Sequence, residues 1–267
     1  MIRKILAIAV LALSTVPQPS FAWGRTGHAA VANIAELRLN SRAKAKVMKL
    51  LALDGNNHMA DVSSWADQQR DAYPVVHSTR IPFDGRTAPA HACPDLDKLC
   101  ADEAISKYMK TLKNGSASPT DRYVALNFII HLVGDLHQPL HGSDPIGYNE
   151  VTFNGSAKTR IHAFWDGVII EQHGLGSAAL ARELLNNGVD VKTGGSPREW
   201  AIESSNLARD AIYDTLPACY PRKRPRCPTT PMALPSNYAS RAYPVVARRL
   251  KQAGLRLAEM LNDALGA

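Results

Sequence analysis

Two histidine–aspartate pairs stand four residues apart in this chain: His131 with Asp135 in VALNFIIHLVGDLHQPLH (residues 124–141), and His162 with Asp166 in IHAFWD. On a helix that spacing stacks an imidazole and a carboxylate on one face. The first segment is apolar around its whole circumference, so its helix must be largely buried. Buried polar groups need partners, and for one pair taken alone a simple His–Asp hydrogen bond would serve as well as a metal. Repetition of the pair shifts the balance toward a metal.

Further candidate ligands lie upstream and in the turn after Pro139: His28 in WGRTGH, Asp67 in SSWAD, His77 in VVHS, and His141. Asp67 also fits a helix capping box with Ser64, and His77 by itself fits a core histidine. Together His28, Asp67, His77, His131, Asp135, His141, His162 and Asp166 are more ligands than one metal uses. Several ions are implied. Imidazole and carboxylate without thiolate suit zinc, while manganese or iron would accept the same donors. His58, His91, His137 and His173 have no partner at helical spacing and read as surface, supporting or structural groups.

The elements that must position these residues begin with a leader. Arg3 and Lys4 precede an apolar run from Ile5 to Val16, then Pro17, Pro19 and small residues at 20 and 22. This is the pattern of a secretory signal peptide over 1–22, with an apolar core too short to span a membrane. A mature domain over 23–267 would then start at Trp23, secreted or periplasmic. Loss of Arg3 and Lys4 lowers the net charge from +7 to +5, a balance compatible with an anionic substrate but weakly diagnostic. In an oxidising compartment the four cysteines read as two local disulfides, Cys93 with Cys100 and Cys219 with Cys227.

Apolar periodicity predicts helices near 27–39, 41–53, 58–72, 102–113, 120–138, 159–173, 177–187, 197–216 and 239–265. A short hairpin is predicted at 150–156, where EVTFNGS contains an Asn-Gly turn. The proline-rich stretch 217–235 reads as a loop pinned by its disulfide. The expected architecture is a mainly α single domain with a short β-hairpin and long disulfide-pinned loops.

The ordered set WGxxGH (23–28), SWAD (64–67), His77, HxxxDxxQPLH (131–141) and HxxWD (162–166) resembles the secreted single-strand-specific zinc nucleases of fungi, the plant bifunctional nucleases and, more distantly, the zinc phospholipases C. The resemblance spans the mature chain. It implies three zinc ions: one on Asp67, His77, His131 and Asp135; one on the α-amino group and carbonyl of Trp23, with His28 and Asp135; one on His141, His162 and Asp166. It implies cleavage of single-stranded DNA and RNA to 5′-phosphorylated products, 3′-nucleotidase activity and a monomer. Asp67 and Arg70, one turn apart, are the expected catalytic pair, Asp67 reaching the attacking water and Arg70 orienting that carboxylate or a phosphate.

Departures from the family concern the substrate side. Gly147-Tyr148-Asn149 stands where a Gly-Gly-Asn element is usual, and Ser78 and Arg80 stand where an aromatic and an acidic residue commonly contact a base. Asn149, Tyr148 and Arg80 are therefore the candidate substrate-binding residues, Arg80 through phosphate or by stacking on a base. Tyr73, Phe83 and Phe164 are further aromatic candidates, with the core as their ordinary alternative. Two other functions use the same ligands: a zinc phospholipase C, which should show a lipid-facing apolar patch, and an exported zinc-binding protein without turnover.

Overall fold

The computed structural model describes residues 22–82, 89–144, 150–216 and 231–266. Among the described residues the α-helical segments are α1 (Arg25–Arg38), α2 (Ser41–Leu51), α3 (Ala101–Lys113), α4 (Pro119–His137), α5 (Ile161–Ala163), α6 (Ile169–His173), α7 (Ser177–Asn186), α8 (Pro197–Leu207) and α9 (Tyr238–Leu265). The fold is mainly α. Local chemistry sets several starts. Ser118 accepts from the Asp121 N–H at 3.0 Å with Pro119 as first helical residue, and Ser196 and Glu199 form a capping box ahead of α8.

Helix α4 is the centre of the domain. From Ala125 to His137 every residue is buried, as its all-round apolar sequence requires, and α1, α3, α8 and α9 pack around it. The long α9 lies against α1, α2, α4 and α7. His131 and Asp135 are thus fixed in a rigid interior.

A three-stranded sheet runs in the order β2-β1-β3, from β1 (Glu150–Phe153), β2 (Thr159–Arg160) and β3 (Met232–Leu234). The predicted hairpin extends past its expected end at 156, pairing Glu150 with Arg160 and Val151 with Thr159, so residues 159–160 are strand and the helix expected from 159 starts at Ile161. Its turn has Asn154 at φ 49° and Gly155 at φ 72°, left-handed conformations that this dipeptide tolerates. β3 joins β1 in parallel and corrects part of the expected loop: residues 232–234 are strand, burying Met232 and Leu234.

Two other expectations change. Residues 58–72 are not one helix but two short 3-10 turns, Met59–Val62 and Ala66–Gln69, whose tighter path carries the Ser63 carbonyl and the Asp67 side chain to α4. Between α5 and α6 the helix widens into a π turn at Phe164–Val168, which buries Phe164, Trp165 and Asp166 together. The expected leader apart from Ala22, and Phe83, Tyr148, Asn149, Cys219 and Cys227, lie outside the described residues. Among those described, no helix is long and apolar enough to cross a membrane.

Candidate metal centre

Five of the predicted ligands converge at α4. His131 Nε2 lies 3.2 Å from Asp135 Oδ2 and 3.5 Å from Asp67 Oδ1. His77 Nδ1 lies 3.2 Å from Asp135 Oδ2 and 3.5 Å from Asp67 Oδ1, and His28 Nε2 lies 3.3 Å from Asp135 Oδ1. The His28 and His131 rings stack with centroids 4.1 Å apart. All five residues are buried.

His141, His162 and Asp166 form a second cluster, with donor atoms within 4.8 Å of one another. His162 Nε2 is 3.7 Å from Asp166 Oδ1, and the His141 and His162 rings meet edge-on at 4.8 Å. A backbone ladder joins the clusters: the Thr79 N–H donates to the His141 carbonyl at 2.8 Å, and the Ile81 N–H to the Gly142 carbonyl at 3.1 Å. The His141 ring nitrogen Nδ1 meets the His77 carbonyl at 2.7 Å, and His131 Nδ1 meets the Ser63 carbonyl at 2.8 Å. Each contact makes Nδ1 the donor and turns Nε2 toward the cluster as the nitrogen that would ligate a metal.

The donor atoms fit metal ions better than they fit one another. His28 Nε2, Asp67 Oδ2, both Asp135 oxygens, His141 Nε2 and His162 Nε2 are buried without a hydrogen-bond partner, although several lie close together. Such atoms carry a desolvation cost that a shared cation would offset. Burial lowers the pKa of His141 to about 4 and, with the nearby His141 and Arg160, that of His162 to about 3. Both are neutral and ready to coordinate at neutral pH. His131 is the opposite case: burial disfavours its charge, but Asp135 and Asp67 outweigh this and raise it to about 10. The same pairing holds Asp67 and Asp135 well below the ordinary carboxylate range against the effect of burial.

Arg70 donates to Asp67 Oδ1 from Nη2 at 2.6 Å and Nε at 3.2 Å, while its side chain stays 40 % exposed. Trp23 is fully buried at the start of α1, beside the centre: the Gly24 N–H donates to the Asp166 carbonyl at 2.7 Å. Two glycines make close approaches here. A Cβ at Gly27 would lie 2.6 Å from Trp23 Cβ, and one at Gly134 would lie 2.9 Å from His28 Nδ1. Sequence reasoning passed over both, and Gly27 was legible only as part of WGxxGH.

The remaining predicted residues are placed as follows. Arg80 anchors the segment after His77 through its N–H to the Ala92 carbonyl at 2.8 Å, and it lines a groove with Pro82, His91, Cys93 and Asp144. Tyr73, half-buried, packs on the edge of the core against Trp65 and Phe128, and Phe164 is buried within it against Phe153 and Tyr238. His137 is structural: Nδ1 meets the Val133 carbonyl at 2.7 Å, and Nε2 meets Arg256 Nη1 at 3.0 Å. Cys93 and Cys100 sit together as free thiols, with burial raising both pKa values. His91 and Glu103 beside them pair with each other at 2.9 Å.

A helical domain that gathers eight imidazole and carboxylate donors into two adjoining clusters able to hold metal ions belongs with the metal-dependent hydrolases. Comparison with known proteins gives the family. The S1/P1 nuclease family matches residues 23–266, and the chain belongs to it. It is 30 % identical to endonuclease 4 of Arabidopsis thaliana over 95 % of this chain and 92 % of that protein. Nuclease S1 of Aspergillus oryzae is 26 % identical over 96 % of each chain, and nuclease P1 of Penicillium citrinum 29 % identical over 71 % of this chain and 70 % of its own. The chain is an endonuclease, a phosphodiester hydrolase of a zinc-dependent family.

Proposed function

We propose that this protein is an exported three-zinc endonuclease that cleaves single-stranded DNA and RNA to 5′-phosphorylated products and removes 3′ phosphates from nucleotides at the same centre. The observation that supports this most is the convergence of buried, unpartnered nitrogen and oxygen donors from both clusters. Asp67, His77, His131 and Asp135 would hold one zinc. Trp23, through its α-amino group and carbonyl, would hold a second with His28 and Asp135. The third would bind His141, His162 and Asp166.

Bound zinc supplies Lewis acidity toward the phosphate and acidifies water to a nucleophile near neutral pH. The chain's own groups do the rest. Asp135 offers one oxygen to each of two neighbouring imidazole sets, and Arg70 fixes Asp67 while extending toward solvent, where a phosphate arrives. Arg70 is thereby the orienting cation, and Asp67 faces the attacking water. Arg80, Tyr148 and Asn149 are proposed to contact the substrate.

Export follows from the leader over 1–22. Its removal frees the Trp23 amine, whereas the amide of an uncut Ala22–Trp23 bond is a poor ligand. The mature 23–267 domain acts outside the cytoplasm as a monomer, where oxidation would join the neighbouring Cys93 and Cys100 thiols, and Cys219 with Cys227, as disulfides.

The test measures zinc content and cleavage of single-stranded DNA and RNA on protein confirmed to begin at Trp23. Three zincs per chain and chelator-sensitive release of 5′-phosphorylated ends are expected. Release of 3′-phosphorylated ends would overturn the proposed direction of cleavage. One zinc or none, without turnover, would reduce the clusters to structural or scavenging sites.

A further inference from the structure

Gln138 is completely buried between the two ligand-bearing segments that follow α4 and precede α6, and both ends of its amide are used. Its Nε2 donates to Asp166 Oδ1 at 2.5 Å, and its Oε1 accepts the Leu140 N–H at 2.5 Å. A donor on the carboxylate and an acceptor on the N–H allow one amide orientation, so the side chain cannot flip without losing both contacts. Its backbone is equally committed. The Gln138 N–H donates to the Asp135 carbonyl at 3.0 Å, and the Gln138 carbonyl accepts the His141 N–H at 3.0 Å.

One residue therefore touches the carboxylate of Asp166, the turn that aims His141, and the last turn of the helix carrying His131 and Asp135. We propose that Gln138 is a positioning residue for the His141–His162–Asp166 cluster, holding Asp166 and His141 at the separation and orientation a divalent cation requires. The inference rests on the three-zinc reading. It goes beyond that reading by locating the preorganisation of one cluster in a side chain that is not a ligand.

The chemistry supports an amide at this place. An ionised carboxylate could not donate to Asp166 and would repel it. Leu or Met could fill the volume but would leave Asp166 Oδ1 without its short contact and the Leu140 N–H without its acceptor. Asn is one methylene shorter and could not span both partners without moving the turn. Glu, Met and Asn at this position therefore separate charge, hydrogen bonding and reach.

The test uses the mature protein, the metal-free forms of Gln138→Met and Gln138→Ala, and zinc titration against a chelator of known affinity. Wild type reports on the three-zinc reading alone. If it takes up three zincs, each variant is expected to bind two with wild-type affinity and the third about 10–100-fold more weakly, the usual scale for an outer contact on a metal ligand. Activity of Gln138→Met should return as free zinc is raised, which a general packing defect would not allow. Three sites of wild-type affinity in both variants would overturn the inference, as would equal weakening of all three sites. Should Gln138→Ala fail to fold, the near-isosteric Gln138→Met carries the decision.

Discussion

Asp135 turns Oδ1 toward His28 Nε2 at 3.3 Å and keeps Oδ2 for the His131 and His77 imidazoles, each at 3.2 Å. A single carboxylate at the heart of α4 thus divides its oxygens between two sets of imidazoles. Replacing it by Asn preserves shape but removes the charge and turns one oxygen into an NH2 group with no lone pair to offer a metal.

Asp135→Asn is accordingly expected to lose two of three zincs while the His141–His162–Asp166 cluster keeps its own. Cleavage should fall by about 10³-fold or more, the scale for losing a principal electrostatic group of an active site. Zinc content measured beside kcat/KM checks this. A variant with three zincs and near-normal turnover would remove Asp135 from the role of bridge.

Arg70 grips Asp67 through two nitrogens on one oxygen, a fork that Lys cannot reproduce. Arg70→Lys should therefore retain the charge near the phosphate yet free the Asp67 carboxylate. A loss of about 10–100-fold in kcat is expected, with KM changing less. Arg70→Ala should raise KM as well. Equal behaviour of the two variants would show that the charge, and not the grip on Asp67, is what matters.

Gly134 sits one residue before Asp135 and leaves room for the imidazole of His28. Alanine there would bring Cβ to 2.9 Å from His28 Nδ1 and 3.2 Å from Cε1, so the ring must move. Within a helix, Gly→Ala otherwise favours folding by roughly 0.5–1 kcal/mol. Gly134→Ala should thus leave thermal stability of the metal-free protein little changed while weakening one zinc by at least about tenfold. Unchanged affinity for all three zincs would mean that His28 shifts without cost or is not a ligand.

Gly134 also marks where the sequence stopped being readable. The helices were legible because their apolar residues repeat at three and four, and His131–Asp135 and His162–Asp166 were legible because that period aligns them. Apolar residues at 59, 62 and 66 fit a helix and successive 3-10 turns equally, and only the demand of α4 for Ser63 and Asp67 decides between them. β3 is three residues long, flanked by Pro231 and Pro235, and its partner β1 lies some eighty residues away, so no local pattern announces it. Gln138 stood in the quoted motif, but its role depends on Asp166, which approaches only in the folded chain.

The histidines make stability of the metal-free protein depend on pH from both sides. His141 titrates at about 4 when folded against 6.5 as an ordinary histidine, so between those values the unfolded chain holds a proton that the folded one refuses. Stability must fall as pH drops from 6.5 to 4, by about 3 kcal/mol. His162 acts in the same direction, although its side chain is 37 % exposed and solvent screens its share. His131 has the reverse sign: raised to about 10 by Asp135 and Asp67, it stabilises the fold fully below 6.5, and this contribution disappears as pH climbs through 10. Thermal unfolding of chelator-treated protein from pH 4 to 10 should therefore peak near neutrality. Zinc should abolish the alkaline decline, because a coordinated His131 has already surrendered its proton, and binding near pH 7.5 should release protons to the buffer. An alkaline decline of equal size with and without zinc would show that His131 is not coordinated.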